Sequence, residues 1–222
     1  MLANRPVTAS PPRDPPGNDF VAESVAFFQN EQDRWPQELT ANLLFGLGFL
    51  LLVPVGLILR RAFGREDLRS TIGSSAFAVG GVIGMAAQLI FVGAKEVAID
   101  PRYCQCEYAP EQIISQNRAL AMAEGSQRWL LIGFFLLLVV GFYLMGRLAL
   151  ERGILGRGWG YISLAGAAVS LVGFVAALLQ ADPVFELFLA AGGGVILPIW
   201  AVVLGRRLGA APDAADTADR VR

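Results

Sequence analysis

The chain has 222 residues, of which 55% are hydrophobic and only 17% are charged, with a formal net charge of −1. Soluble domains carry about 25% charged residues, and a soluble fold of this length has too little polar surface to cover several long apolar runs. The near-neutral charge gives no sign of a nucleic-acid partner, and the absence of histidine argues against haem, most zinc sites and histidine-based catalysis. We therefore expect a membrane protein that binds no metal, cofactor or nucleic acid.

The N-terminal segment divides into two parts. Residues 1–19 contain five prolines among serine, asparagine and aspartate, a composition that favours a disordered tail. Residues 20–36 place apolar side chains on one side of a helix, which predicts a short amphipathic helix on the external membrane surface. We expect Trp35 and Pro36 to turn the chain into the membrane.

Five apolar runs follow, each with about the 20 residues that a helix needs to cross a hydrocarbon core of about 30 Å. Their side chains do not alternate between apolar and polar, which favours helices over the strands of a β-barrel. The predicted fold is an all-α, polytopic membrane helix bundle over residues 37–208, followed by a disordered cytoplasmic tail at residues 209–222. The five predicted transmembrane helices cover residues 39–59, 75–94, 129–146, 159–179 and 184–204.

The distribution of basic residues predicts the orientation of the bundle. Short loops that are rich in arginine and lysine stay in the cytoplasm. We therefore expect an external N-terminus and a cytoplasmic C-terminus in a multi-pass protein of the inner (plasma) membrane. The basic residues that carry this prediction are Arg60, Arg61, Arg65, Arg69, Arg147, Arg152, Arg157, Arg206 and Arg207.

The long second loop, residues 95–128, is predicted to be external and contains both cysteines of the chain, Cys104 and Cys106. Pro110 is expected to begin a helix that continues into the third span. The two thiols are compatible with a redox-active pair, a disulfide or half of a metal site shared with a partner. We favour a disulfide or two thiols without a catalytic role, since two sulfurs do not complete the four-ligand coordination of zinc. Charged residues near the outer ends of the spans are compatible with a site at the outer mouth of the bundle, but a solvated rim is the favoured interpretation. They are Lys95, Glu96, Asp100, Asp182 and Glu186.

Gln88 is the one strongly polar side chain deep inside a predicted span. Such a residue can line a pore or hold a ligand, but an interhelical hydrogen bond is the favoured interpretation. Gly80 and Gly84 share a face of the second span with Gln88, and the fourth span has a similar stripe of small residues. These faces let helix backbones approach closely, either within the bundle or between subunits.

The fifth predicted span contains Gly192, Gly193 and Gly194, followed by Pro198. This run is compatible with a broken helix that opens its backbone carbonyls to a substrate. A flexible, kinked packing site is the favoured interpretation. A phosphate-binding loop is excluded, because no strand precedes the glycines and no Lys-Ser/Thr pair follows them.

The C-terminal half combines the segment LALERGILGRGWGYISLAG with a last helix, FELFLAAGGGVILPIWAVVLGRRL. In this pairing of a short basic turn with a final apolar helix, residues 127–208 resemble an uncharacterised family of bacterial polytopic membrane proteins. The resemblance implies a bacterial membrane protein. It assigns no functional residues, because that family has no assigned activity.

These observations favour a non-catalytic structural or accessory subunit of a larger membrane complex, in contact with the lipid bilayer and with other membrane protein subunits. Assembly is expected through the small-residue faces and the external loop. The alternative is a small-molecule carrier or channel, with a midplane site near Gln88 and the segment from Gly192 to Pro198. A weaker alternative is a membrane thiol redox protein that uses Cys104 and Cys106.

Overall fold

The computed structural model describes residues 18–64, 66–99, 110–189 and 197–209. Within these ranges the regular elements are helices, and none is a strand. The helices in chain order are α1 Asn18–Leu50, α2 Leu52–Phe63, α3 Leu68–Ile99, α4 Pro110–Arg152, α5 Arg157–Leu178, α6 Asp182–Phe188 and α7 Leu197–Gly209. The all-α fold class is therefore confirmed for the described part of the chain.

Four helical stretches are long and apolar enough to cross a membrane. The stretches are Arg34–Phe63, Leu68–Ala98, Ile113–Arg152 and Arg157–Leu178. They coincide with the first four predicted spans, so the length and composition of the helices define a multi-pass membrane protein. At the fifth predicted span, α6 ends at Phe188 and α7 begins at Leu197. Residues 190–196 lie outside the described part, and this fifth span stays a prediction.

The first span joins α1 to α2 at Leu51, and a proline explains the join. Pro54 has no N–H to donate to the carbonyl of Leu50, four residues earlier, so the helical ladder loses one bond there. The bonds on either side persist. The Leu51 N–H donates to Leu47 O at 3.1 Å, and the Val55 N–H donates to Leu51 O at 3.4 Å. The first span is therefore made of two helices in direct succession.

The predicted turn at Trp35 and Pro36 is wrong. α1 is one helix of 33 residues that includes Pro36. The proline removes a single backbone hydrogen bond, and its carbonyl gains a side-chain bond, because Thr40 Oγ1 donates to Pro36 O at 2.8 Å. Residues 20–36 are therefore helical, but their helix does not end at 36 and continues into the first span. The position of this segment on the membrane surface stays a prediction.

α4 begins at the predicted proline, Pro110, and has 43 residues. At about 1.5 Å per residue, it measures about 64 Å, which is about twice the hydrocarbon thickness of about 30 Å. Much of the predicted second loop therefore belongs to helices. Residues 95–99 lie in α3 and residues 110–128 lie in α4, while residues 100–109 are outside the described part.

The chain forms two compact units, and α1, α3 and α4 contribute residues to both. The described residues of the first unit are 18–44, 87–99 and 110–129, and those of the second unit are 45–64, 66–86, 130–189 and 197–209. In these ranges the first unit carries four basic and eight acidic residues, whereas the second carries eight basic and five acidic residues. The two units therefore differ in the sign of their charge.

Aromatic side chains form the core of the second unit. Phe77 of α3 is fully buried, and its ring centroid lies 4.9 Å from that of Phe142 and 5.5 Å from that of Trp200. Phe49 of α1 and Phe134 of α4 lie 4.6 Å apart. Offset and edge-on rings pack favourably at about 4.5–7 Å. These contacts therefore join α1, α3, α4 and α7 within the unit.

Apolar side chains also cover the outward surface of the spans. Between 33% and 44% of the most apolar window in each span is buried within the chain. Large exposed side chains on these helices include Leu47, Leu57, Val79, Leu136 and Val172. In water such an apolar surface would favour aggregation, whereas in a bilayer it contacts hydrocarbon. The spans are therefore suited to contact with lipid.

Candidate functional site

The charged site of the first unit is built around Lys95, the only lysine of the chain. Its Nζ donates a hydrogen bond to Glu38 Oε2, which joins α3 to α1. The same Nζ lies 5.7 Å from the ring centroid of Trp35 and 5.7 Å from that of Phe91. Both distances are within about 6 Å, the range in which an aromatic face attracts a cation. We call these four residues the Lys95 cluster.

Helical spacing explains why the side chains of the Lys95 cluster meet. Trp35 and Glu38 are three residues apart on α1, so they share one helix face. Phe91 and Lys95 are four residues apart on α3 and share a face for the same reason. The Lys95 side chain is 12% exposed and the Glu38 side chain 28%. The interpretation of Lys95 as part of a solvated rim is therefore wrong, since its ammonium contacts two rings and a carboxylate.

A second polar contact of the first unit joins α4 to α1. Asn117 Nδ2 donates a hydrogen bond to Ser24 Oγ at 3.4 Å, and Ser24 is buried. Ile113, Leu120 and Ala123 are also buried on α4, at spacings that put them on the same helix face as Asn117. The first unit therefore combines an apolar face of α4 with polar contacts to α1 from both α3 and α4.

Gln88 of α3 belongs to the first unit and is 3% exposed. Its Oε1 is buried and accepts no hydrogen bond from the residues that the structure describes. A buried polar atom left without a partner costs about 1–3 kcal/mol. A donor from water, a ligand or another subunit would therefore be stabilising at this oxygen. The interhelical hydrogen bond favoured from the sequence is not observed there.

The glycines of α3 pack against side chains of the same chain. A Cβ added at Gly84 would lie 2.8 Å from Cγ of Phe49, closer than real Cβ atoms approach. A Cβ added at Gly80 would lie 3.5 Å from Cβ of Leu137, which is an ordinary contact distance. Gly84 is therefore required for the close packing of α3 against α1, whereas the packing at Gly80 has room for a methyl group.

The small residues of α5 are covered in the same way. A Cβ added at Gly173 would lie 2.8 Å from Cε1 of Phe135, and one added at Gly166 would lie 3.2 Å from Cδ1 of Phe142. Ser170, between the two glycines, is buried. Rings of the same chain therefore pack against Gly166 and Gly173. Assembly with other subunits through small-residue faces stays a prediction.

The second unit has an ionic network where α2 and α4 end and α3 begins. Arg152, the last residue of α4, donates from Nη1 to the carbonyl of Phe63, the last residue of α2. Its Nη2 donates to Oδ2 of Asp67, just before α3. Arg69 Nη1 pairs with Glu151 Oε2 at 2.7 Å. The network therefore ties three helix ends together.

Asp67 also caps α3. Its Oδ1 accepts hydrogen bonds from the backbone N–H of Arg69 at 2.8 Å and from that of Ser70 at 3.4 Å. Burial raises the pKa of the Asp67 carboxyl, but the two backbone bonds and the charges of Arg69 and Arg152 outweigh it, and this pKa lies below its ordinary value of 3.8. The carboxylate is therefore ionised at neutral pH and available to Arg152.

Three further arginines at these helix ends are exposed and have no acidic partner among the described residues. They are Arg60, Arg61 and Arg157. The sequence pattern identified these residues only as orientation signals. The pairing of Asp67 with Arg152 could not be found in it, because 85 positions separate the two residues. We define the arginine end as Arg60, Arg61, Glu66, Asp67, Arg69, Arg147, Glu151, Arg152 and Arg157.

Trp200 of α7 is a buried polar residue that sequence reasoning missed. Its ring centroid lies 5.2 Å from that of Phe142 and 6.3 Å from that of Trp159. Its Nε1 has no acceptor among the described residues, although a buried indole N–H usually finds one. Pro198, two residues earlier, lies in the first turn of α7, where proline interrupts no helical hydrogen bond.

The remaining predicted site residues lie outside the described part of the chain. They are Cys104, Cys106, Gly192, Gly193 and Gly194. Within the described ranges, no group of three or more His, Cys, Asp or Glu side chains is placed to hold a metal ion. The thiol pair and the midplane site near Gln88 therefore stay predictions.

Comparison with known proteins adds no assignment. No family model, curated protein or solved structure matches the chain. The resemblance of residues 127–208 to a bacterial membrane-protein family therefore stays a prediction.

Proposed function

We propose that this chain is a non-catalytic accessory subunit of a membrane complex, and that its first unit is the part that meets another subunit. The observation that carries the proposal is the length of α4, whose 43 residues are about twice what a span requires. Residues 110–129 of this helix form part of a compact unit with its own buried contacts. A helix that only had to cross the bilayer would not need this extension.

The surface of the extension supports a role in binding another subunit. Met122 of α4 is 75% exposed, and its neighbours Ala119 and Ser126 are small and exposed. A flexible thioether side chain adapts to irregular protein surfaces. Acidic residues outnumber basic residues in this unit by eight to four. We therefore expect a partner surface with an apolar pocket and a basic rim.

The covered glycine faces of α3 and α5 also favour this location for the partner. Gly84 and Gly173 already lie against rings of the same chain. A second subunit that packed on these faces would have to displace Phe49 and Phe135. Assembly through the first unit requires no such rearrangement.

Substitution of Met122 tests the proposal. The full chain is tagged, extracted from its own membrane in mild detergent, and its co-purifying membrane subunits are quantified by mass spectrometry. We expect Met122→Gln to raise the Kd for the partner about tenfold, the effect of about 1.4 kcal/mol of binding free energy, and so to lower the recovery of partners. The matched control is Leu179→Gln, since Leu179 is 74% exposed in the second unit. Equal recovery of partners with both variants would contradict the proposal.

A small-molecule carrier is the second candidate function, and Gln88 is the observation that favours it. The buried Oε1 lacks a donor among the described residues, and a substrate hydroxyl, amine or amide would supply one. In a carrier, Gln88→Met would abolish the thermal stabilisation that a substrate produces. In an accessory subunit, Gln88→Met would raise the melting temperature and remove no ligand effect, because it deletes an unsatisfied buried carbonyl.

We further infer an external N-terminus, a cytoplasmic C-terminus and a location in the inner membrane of a bacterial cell. The support is the basic arginine end, since basic short loops remain in the cytoplasm. Cys104 and Cys106 are the two cysteines of the chain, and they provide a direct assay. After mild reduction, a membrane-impermeant maleimide should label them on intact cells. Labelling only after permeabilisation would indicate the opposite orientation, with the cysteines in the cytoplasm.

A further inference from the structure

The arginine end carries positive charge that the acids of the chain do not neutralise. The carboxylates of Asp67 and Glu151 are both engaged by neighbouring arginines. The exposed arginines that have no acidic partner among the described residues are Arg60, Arg61 and Arg157. No acid of the described residues therefore competes with an external anion for these three guanidinium groups.

Exposed apolar side chains lie beside these arginines. Leu57 and Ile58 are exposed on α2 within a turn of Arg60. Tyr161 is exposed on α5 one turn after Arg157. Arginine stems and tyrosine rings commonly sit at the boundary between acyl chains and headgroups. The surface at these helix ends therefore combines cationic and apolar groups within one turn of helix.

This combination selects the class of ligand. Leu57 and Ile58 belong to the first span, whose apolar surface is suited to hydrocarbon, so a ligand bound by Arg60 lies at the edge of the bilayer. A phospholipid satisfies both kinds of group, because its phosphate meets the guanidinium groups and its acyl chains meet the apolar side chains. The planar guanidinium of Arg60 can also donate two parallel N–H bonds to one phosphodiester, which a lysine cannot do.

We propose that the arginine end binds the headgroups of anionic phospholipids, with Arg60, Arg61 and Arg157 as the phosphate-binding residues. Arg69 and Arg152 hold the helix ends in position through Asp67, Glu151 and the Phe63 carbonyl, and they are positioning residues. The surface distinguishes lipids by headgroup charge. It therefore binds phosphatidylglycerol in preference to zwitterionic phosphatidylcholine, whether or not the chain has a partner subunit.

Native mass spectrometry of the full chain in detergent tests this proposal. Phosphatidylglycerol and phosphatidylcholine of the same acyl composition are titrated separately, and the affinity of each is obtained from the lipid-bound fraction. We expect wild-type protein to prefer phosphatidylglycerol, and this affinity to fall about fivefold for each arginine lost. The triple variant Arg60→Gln, Arg61→Gln, Arg157→Gln should bind the two lipids equally. A double variant of the first unit, Arg34→Gln with Arg118→Gln, should keep the preference.

Salt dependence and competition by inorganic phosphate test the same proposal. In wild-type protein the preference should fall as salt rises from about 0.05 M to about 0.5 M, because exposed charges are screened, and this measurement does not depend on the folding of a variant. Inorganic phosphate should displace phosphatidylglycerol poorly, because it lacks acyl chains. Equal affinity for both lipids in wild-type protein, a preference that salt leaves unchanged, or displacement by phosphate at equal concentration would overturn the proposal.

Discussion

The two units of the chain use charged residues in opposite ways. In the first unit, a single lysine is withdrawn from water between two rings and a carboxylate, while the excess charge of the unit is negative. In the second unit, arginines and acids meet at helix ends with side chains that are between 15% and 55% exposed. The excess charge there is positive.

The difference shows how exposure decides what an ion pair contributes. Lys95 and Glu38 are 12% and 28% exposed, so removing one of them leaves the other charge less hydrated than it would be in bulk water. For a fully buried pair this costs about 3–5 kcal/mol, and a part-buried pair costs less. Exposed pairs are worth about 0–1 kcal/mol each. The Lys95 cluster is therefore expected to fix the packing of the first unit. The arginine end is expected to set the geometry of helix ends and to leave charge available for ligands.

The largest effect is expected when the Lys95 cluster is broken. Lys95→Met leaves the part-buried Glu38 carboxylate without its cation, and the first unit should lose up to about 3 kcal/mol of local stability. Hydrogen exchange of backbone amides at residues 18–44 and 110–129 measures this loss. The matched control is Arg34→Met, which removes an exposed charge from α1. Equal exchange in both variants would show that the cluster does not hold the unit together.

A second prediction concerns the apolar packing of the second unit. Gly84→Ala forces a Cβ against the ring of Phe49, and we expect it to lower the unfolding free energy by about 2 kcal/mol. Gly93→Ala is the control on the same helix, because nothing lies within 4 Å of a Cβ added there. It should gain up to about 1 kcal/mol from helix propensity. Thermal unfolding in detergent compares the two, and a loss of equal size at both positions would contradict the account.

A smaller effect is expected at the arginine end. Arg152→Gln removes the hydrogen bond to the Phe63 carbonyl, which should cost about 1 kcal/mol. Arg157→Gln should leave the melting temperature unchanged, because Arg157 is exposed and has no acidic partner among the described residues. If Arg157→Gln destabilised the protein as much as Arg152→Gln, the division into positioning and lipid-binding arginines would be wrong.

The smallest effect is a dependence on acid. The folded state lowers the pKa of Asp67 below its ordinary value of 3.8, so the folded state binds this proton less readily than the unfolded state. The stabilisation is present at pH values above 3.8 and is lost as the pH falls through the lower folded value. Melting curves recorded at decreasing pH should show this loss in wild-type protein and a weaker dependence in Asp67→Asn. Identical curves for both proteins would contradict the assignment.

Much of the fold could be predicted from the sequence because apolar runs and prolines act locally. The first four spans follow from the length of their apolar runs, and the start of α4 follows from Pro110. Pro36 was misjudged because one missing hydrogen bond does not end a helix whose neighbouring turns are intact. Local patterns therefore predict which segments are helical more reliably than they predict where a helix ends.

The candidate sites were harder to predict because they depend on contacts between distant residues. Lys95 and Glu38 are 57 positions apart, and no local signal joins them. The spacing of Gly80 and Gly84 predicted a close helix contact but did not say whether the neighbour belonged to the same chain. Residue types and helix faces could be predicted, whereas the partner of each side chain required the tertiary structure.

Native mass spectrometry of the intact complex tests whether the first unit joins this chain to another membrane subunit. The chain is expressed at its natural level and released from the membrane in mild detergent. We predict that it arrives with defined partner subunits in a fixed ratio, and that Met122→Gln releases them. Detection of the wild-type chain alone, or only with copies of itself, would contradict the accessory-subunit proposal and would favour the carrier hypothesis.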